Sequence, residues 1–328
     1  MATLTKDVVY ALRTLRRSPG FALTAIATIA LGIGASTAIF SVVNAILLRP
    51  LPYADPSRLV LVWGDMRNRG VTDFPFPPAD YYDLKQQADL FEDFAAVVTG
   101  PAPLTGDDGE PEQIRTAGVT PNLFTLLGLK VAIGRNFIES DATPQGPPPG
   151  DGAVGQAPPP PPIPAAVILS HEFWQRRYGG DRSILGKFID LGGQRSEVVG
   201  VLQPRVELLF PPGTNIERFP DAYSALRVDY VNGSRINVFL RVIGRLKPGV
   251  TVAQAQAQTE RIAADLRDRF TIKKTSDLHI RVEAMQQDLV ADVRPSILAL
   301  MGAVSFVLLI ACANVANLLL VRVSRRER

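Results

Sequence analysis

Residues 21–48 contain no charged side chain in 28 consecutive positions, and residues 296–321 contain none in 26. As a helix the first run is ~42 Å long, more than the ~30 Å hydrocarbon core of a bilayer, so it can cross with some tilt. Buried core helices rarely reach this length, and two of them at opposite ends of one 328-residue chain are harder still to accommodate. The first run is about twice as long as the apolar region of a secretory signal, and no small-x-small cleavage site precedes Arg49. It reads as a retained signal anchor. The fold class predicted is a membrane protein: two transmembrane α-helices flanking a mixed α/β domain. The segments are 1–20 (amphipathic), 21–48 (span), 49–295 (core domain), 296–321 (span) and 322–328 (basic tail).

Charge placement sets the orientation. Lys6, Arg13, Arg16 and Arg17 precede the first run, against Asp7, and Arg322, Arg325, Arg326 and Arg328 follow the second, against Glu327. The other two flanks carry only Arg49, and Asp292 with Arg294. The positive-inside rule places both termini in the cytoplasm and 49–295 on the opposite side. Arg13, Arg16, Arg17, Arg322, Arg325 and Arg326 are therefore candidates for topology and for cytoplasmic coupling. Leu4, Val8, Leu12 and Leu15 share a face of Leu4–Arg17, a segment suited to the membrane interface before Pro19-Gly20 turns the chain. Ala30, Gly34 and Ala38 recur at four-residue spacing, and Asn314 and Asn317 lie three apart. Small residues allow close helix approach in lipid and buried amides seek partners, so these five are expected to pack against other helices.

The segment 49–295 alternates helix and strand signals. Strands are expected at Leu59–Trp63, Phe94–Val98 and Glu112–Val119, with helices at Pro78–Leu90 and Pro121–Leu127. After the middle of the segment, Ile236–Ile243 and His279–Ala284 read as strands around a helix at Val252–Phe270, with Ala253, Ala257, Ile262, Ala264 and Leu266 among its apolar positions. These two ends together suggest a lobe with helices against a sheet face. The middle, about 128–225, is richer in short strands (Ala166–Leu169, Lys187–Leu191, Glu197–Val201) and reads as a second, inserted lobe. Within it, ten prolines fall in positions 144–164. The stretch 141–164 is expected to be an exposed loop of polyproline character.

Constellations for chemistry fail one by one. Gly186-Lys187 has Asp181 where a phosphate-binding loop needs Gly, and Phe188 where it needs Ser or Thr. His171-Glu172 lacks the second histidine of a zincin, and no Gly-x-Ser-x-Gly elbow occurs. Cys312 is the lone cysteine, which rules out an intrachain disulfide or a cysteine metal cluster. A net charge of +3 without a long basic tract argues against nucleic acid. No catalytic, cofactor-binding or metal site is expected. Phe173–Gly180 reads as a helix that buries its rings and shows its arginines to water, with His171 near its start.

Four stretches carry a family resemblance: Asp7–Leu51 (DVVYALRTLRRSPGFALTAIATIALGIGASTAIFSVVNAILLRPL), Val167–Gly180 (VILSHEFWQRRYGG), Leu246–Ala253 (LKPGVTVA) and Val293–Arg322 (VRPSILALMGAVSFVLLIACANVANLLLVR). In them the chain resembles the permease subunits of MacB-like and FtsX-like ABC transporters, nearest to the duplicated subfamily common in acidobacteria. The resemblance implies a bacterial inner-membrane protein whose periplasmic core domain is a porter-like lobe with an inserted second lobe. It implies a separate cytoplasmic ATPase carrying ATP-Mg, so that hydrolysis there moves the periplasmic domain for export or efflux. Further partners so implied are additional permease segments or a second permease, and a periplasmic adaptor with an outer-membrane channel. Such permeases continue past the stretch equivalent to Arg322–Arg328 into a coupling segment and two more spans, so the expectation is a fragment or one part of a split permease. The competing reading is a membrane-anchored periplasmic binding or signalling module without an ATPase.

Reporter fusions test the orientation. A periplasm-only reporter is expected to be active when inserted at residue 150 and silent at the C-terminus; activity at the C-terminus refutes the two-span topology.

Overall fold

The computed structural model describes residues 19–44, 50–106, 109–144 and 163–324. In chain order the elements are α1 (Pro19–Val43), β1 (Leu59–Met66), β2 (Val71–Phe74), α2 (Pro78–Gln87), β3 (Phe91–Gly106), β4 (Gly109–Val119), α3 (Leu123–Leu127) and β5 (Val131–Gly134). Then come β6 (Ala165–Leu169), α4 (His171–Tyr178), β7 (Phe188–Leu191), β8 (Gln194–Leu202) and β9 (Ala222–Ala225). The chain returns through β10 (Arg241–Leu246), α5 (Val252–Arg269), α6 (Thr271–Ser276), β11 (Leu278–Ala284) and α7 (Met285–Leu289), and ends in α8 (Arg294–Ser324). Two compact units result, one from both chain ends (Met1–Pro50 with Val290–Arg328) and one from Leu51–Leu289.

In the first unit α1 (25 residues) and α8 (31 residues) touch one another. Thr37 and Ser41 donate their hydroxyls to the carbonyls of Ile33 and Thr37, and Ser305 does the same to Met301, each at 2.8 Å. These back-bonds leave no hydroxyl hydrogen to satisfy from outside the helix. The expected small-residue face is turned outward: Ala30, Gly34 and Ala38 are exposed in this chain, whereas Gly32 and Val43 are buried. Among the described residues no helix is long and apolar enough to cross a membrane. Over complete sequences, α1 has no charged residue and α8 has none from Ser296 to Val321.

The second unit is built on one hydrogen-bonded sheet in the order β11-β1-β10-β3-β4-β9-β6-β8-β5, with β2 beside β1, and β7 bridging β3 and β8. Neighbours are antiparallel except β4 with β9 and β6 with β8. Strand β1 explains why the sheet is covered on both faces. Alternate side chains point to opposite sides of a strand. Leu59, Leu61 and Trp63 enter a core with Leu123, Phe124 and Leu127 of α3, while Val60 and Val62 enter another with Leu84 of α2 and Ile262 and Leu266 of α5. A strand buried on both faces must be apolar throughout, which is how this run reads. The segment 128–225 supplies β5 to β9 and prolongs the same sheet. It adds a third core, in which Phe173 and Trp174 of α4 lie against Val167, Leu169 and Val198.

Several elements differ from expectation for identifiable reasons. Strand β3 continues well past Val98, through Pro101 and Pro103. Its pairing with β10 stops at Val97 and its pairing with β7 begins at Leu104, while β4 accompanies it throughout. The Pro103 carbonyl accepts from Gly192 N–H (2.8 Å), away from β4, so the donor that proline lacks falls on that same side. Pro101, two residues earlier, shares this orientation and sits where no ladder partner exists, the position a strand proline tolerates. The strand expected from Ile236 starts only at Arg241: Ser234 Oγ accepts from the amides of Ile236 and Asn237, forming a turn, and Ile236 is 72% exposed. In α5 the buried positions are Ala255, Thr259, Ile262, Ala263 and Leu266, so of the apolar positions named from sequence only Ile262 and Leu266 are buried. The polar Thr259 is inside because its hydroxyl donates to the Ile280 carbonyl (3.2 Å). Helix α4 is capped by Ser170, whose Oγ accepts from Phe173 N–H, and not by His171.

Strand β11 ends the sheet, and its outer rim is closed by α5. The Gln256 side chain donates to Ile280 O (2.9 Å) and accepts from Val282 N–H (2.7 Å), the pair of bonds a further strand would make. Residues 145–162 of the expected polyproline loop lie outside the described residues. Its two stems are joined by one guanidinium: Arg227 donates to Asp141 O (2.9 Å), Ile163 O (2.8 Å) and Pro164 O (2.5 Å).

Two buried carboxylates carry a pH signature. Burial raises the Asp141 carboxyl, but hydrogen bonds from Arg135 and Ile138 N–H outweigh it and leave it below the ordinary aspartate value. Asp221 behaves likewise, with Arg115 supplying both side-chain and backbone donors. A depressed folded-state value means stability that is fully present above the unfolded value, about 4, and lost as pH falls through the folded one. Asp80 has the opposite sign: burial raises it despite Lys273 and Arg235, so acid relieves a cost there. Asp141→Asn and Asp221→Asn should each melt lower than wild type at pH 7 but lose less of their melting temperature on titration to pH 3. Equal acid losses in wild type and variants would refute the assignment.

Candidate functional site at the chain connections

Strands β1 and β11 are antiparallel, with Val60 opposite Ala284 and Met66 opposite Leu278. The start of β1 thus lies beside the end of β11, and the chain enters and leaves this unit at the same end of the sheet. The entry connection is 51–58 and the exit connection is 285–289. Both rest on one core: Tyr53 and Met285 are buried in it, and Leu51 and Leu289 pack against it.

The entry connection is held by polar groups as well. Ala54 N–H donates to Leu127 O (3.0 Å). Tyr53 OH donates to Glu207 O (2.8 Å) and accepts from Leu209 N–H (3.0 Å). Burial pushes the Tyr53 hydroxyl far above the ordinary tyrosine range, so it stays a neutral donor. Arg245, 5% exposed, donates to Leu126 O through Nε (3.0 Å) and one terminal nitrogen (2.5 Å), and to Ala54 O (2.7 Å). Its partners are backbone carbonyls, one of them at the end of α3, where unpaired carbonyls and the helix dipole favour a cation. Burial, followed by the nearby Arg58, lowers its pKa, yet a guanidinium remains charged in a protein. Gly128, in the left-handed region at φ 71°, ends α3; a Cβ there would stand 2.4 Å from the Ala54 methyl group. Only glycine lets the connection lie this close.

The exit connection is fixed by Trp63, whose indole N–H donates to Asp288 Oδ2 at 2.7 Å. Burial raises the Asp288 carboxyl, partly offset by that bond and by Arg281. A buried indole donor needs such a partner.

This arrangement holds no nucleophile beside a base; what it can do is bind two chain segments to one body. A cleft of about 420 Å³ lies elsewhere, between α5 and β11. Several of its charges pair: Arg281 meets Asp65 and Glu283 at 3.3 Å, and also Asp73. His279 Nε2 stands 3.2 Å from Asp277, and its Nδ1 approaches Glu260 to 2.8 Å without hydrogen-bond direction. Among the described residues no group of three or more His, Cys, Asp or Glu is arranged to hold a metal ion.

None of the residues singled out from sequence belongs to the connections. Ala30, Gly34 and Ala38 lie on α1. Asn314, Asn317 and Arg322 lie in α8 with side chains outside the described set, and Arg13, Arg16, Arg17, Arg325 and Arg326 are outside the described residues altogether. Sequence reasoning missed Tyr53, Trp63, Arg245 and Asp288. Only Arg245 left a trace, a cation within the otherwise apolar stretch Val242–Leu246; such a residue, once buried, requires partners.

Comparison with known proteins fits this architecture. A crystal structure of a domain of a protein described as a permease, from Porphyromonas gingivalis, aligns over 71% of this chain and 92% of its own, with 14% identity and a TM-score of 0.51. The periplasmic region of MacB from Actinobacillus actinomycetemcomitans aligns over 73% and 94%, at 13% identity and a TM-score of 0.48. The extracellular domain of the noncanonic ABC-type transporter YknZ from Gram-positive bacteria aligns over 69% and 99%, at 18% identity and a TM-score of 0.44. At 14% identity the likeness to the first of these is one of fold. No curated protein matches the chain. The model of the MacB-like periplasmic core domain matches residues 22–262, most of the length, and the chain belongs to that family.

Proposed function

We propose that the chain is a permease subunit, or part of one, of a MacB/FtsX-type ABC transporter, within the duplicated acidobacterial-type subfamily. In this reading α1 and α8 span the bacterial inner membrane, both termini are cytoplasmic and the α/β domain is periplasmic. The observation that carries it is the family match, which begins inside α1 and so takes in helix and domain together. The two uncharged runs and the basic residues at their outer flanks supply the membrane placement.

The chain itself is not an enzyme and needs no cofactor. A separate cytoplasmic ATPase supplies the energy by closing on ATP-Mg. Its motion reaches the periplasm through the helices, and the shared core under Tyr53 and Met285 passes it to the domain. Further permease segments or a second permease complete the membrane part. A periplasmic adaptor and outer-membrane channel would receive the exported molecule.

Co-purification tests this. An ATPase encoded beside this chain should be retained by the tagged full-length chain in detergent. Reversing the charges of Arg13, Arg16 and Arg17 should reduce retention several-fold, with orientation verified by reporter fusion. If no ATPase is retained and nucleotide leaves the domain unchanged, the anchored binding or signalling module becomes the better reading.

A further inference from the structure

Residues 205–209 run without regular secondary structure between β8 and β9. Their backbone is held by groups from three directions. Arg205, left-handed at φ 62°, donates its N–H to Glu172 Oε1 (2.8 Å). Leu208 N–H donates to Arg218 O (2.9 Å). The third hold is the Tyr53 hydroxyl, which takes both Glu207 O and Leu209 N–H. The first comes from α4 and the second from the loop leading into β9; the Tyr53 hold reaches back more than 150 residues, to the entry connection. Arg205, Val206 and Glu207 also form a wall of a cleft of about 190 Å³, whose other side includes Phe219 and Asp221.

The exit connection is tied to β1 through Trp63 and Asp288. A hydrogen bond that uses both the donor and the acceptor of one hydroxyl fixes two backbone atoms at once, and a shift of Tyr53 must either carry 207–209 with it or break both bonds.

We infer that Tyr53 is a positioning residue that makes residues 205–209, of which 205–207 wall this cleft, move with the entry connection. The source of that movement rests on the permease reading; the link itself does not. A tyrosine that only completes the core would be replaceable by phenylalanine with a small, evenly spread loss.

The test uses the full-length chain in detergent, with Tyr53→Phe, which keeps the ring in place, and the harsher Tyr53→Leu. Hydrogen exchange is measured by peptide. Tyr53→Phe should speed exchange in 205–210 by about tenfold, the scale of a lost buried hydrogen bond, while β1, β10 and β11 keep their rates. Unchanged exchange in 205–210, or an equal rise across the sheet, overturns the inference, and Tyr53→Leu should reproduce the same regional pattern with larger amplitude. A second readout is an environment-sensitive label on Phe219→Cys in a Cys312→Ser background. With the ATPase partner and nucleotide, its signal should change in the Tyr53 chain and be lost in Tyr53→Phe. A nucleotide response that survives Tyr53→Phe undiminished also overturns the link. If the label is silent in both while the exchange pattern holds, the link stands and the permease reading fails.

Discussion

The antiparallel ladder between β1 and β11 is the constraint on which the rest of the α/β domain depends. It joins residues about two hundred positions apart in sequence, encloses everything between them, and sets entry beside exit. Because β1 is buried on both faces, its neighbours cannot be rearranged without uncovering apolar side chains to water. The helices α2 and α5 on one face and α3 on the other follow from that double burial. So does the position of Arg245, on the strand next to β1, where its guanidinium finds carbonyls in place of a carboxylate.

Burying a cation against carbonyls alone is a costly solution unless each donor has a partner. Here the fork reaches Leu126, Ala54 and, at 3.5 Å, Asp55, so α3 and the entry connection share one charged clamp. The same region has a residue in the left-handed conformation at Asp55 (φ 43°), directly before Pro56. Strain of this kind persists where surrounding contacts over-determine the backbone, and the Ala54–Leu127 bond, the Arg245 clamp and the bare face of Gly128 provide those contacts.

Much of this architecture was legible in the sequence because the signals are local. The apolar run Leu59–Trp63 and the proline that opens α2 each act within a few residues. The inward face of α5 was not legible, since alanines and threonines sort by partner: Thr259 is buried for a carbonyl on another strand. Strand β3 was read only to Val98, because its continuation through Pro101 and Pro103 relies on a side that has no ladder partner there. The candidate site was scarcely legible at all. Tyr53, Trp63 and Asp288 are ordinary in sequence and acquire meaning only when a fold brings Glu207, Leu209 and β1 to them.

Gln256 has a consequence for life among many copies. A sheet that ends in an open strand is a template: each identical neighbour can add its own strand, and the product is a filament instead of a machine. Identical copies at high local density and in similar orientation make such templating easier. By offering an amide that imitates a peptide unit, one glutamine on α5 terminates the series at Ile280 and Val282. Its replacement by an apolar residue of equal size would keep the helix packed and yet leave the sheet able to polymerise.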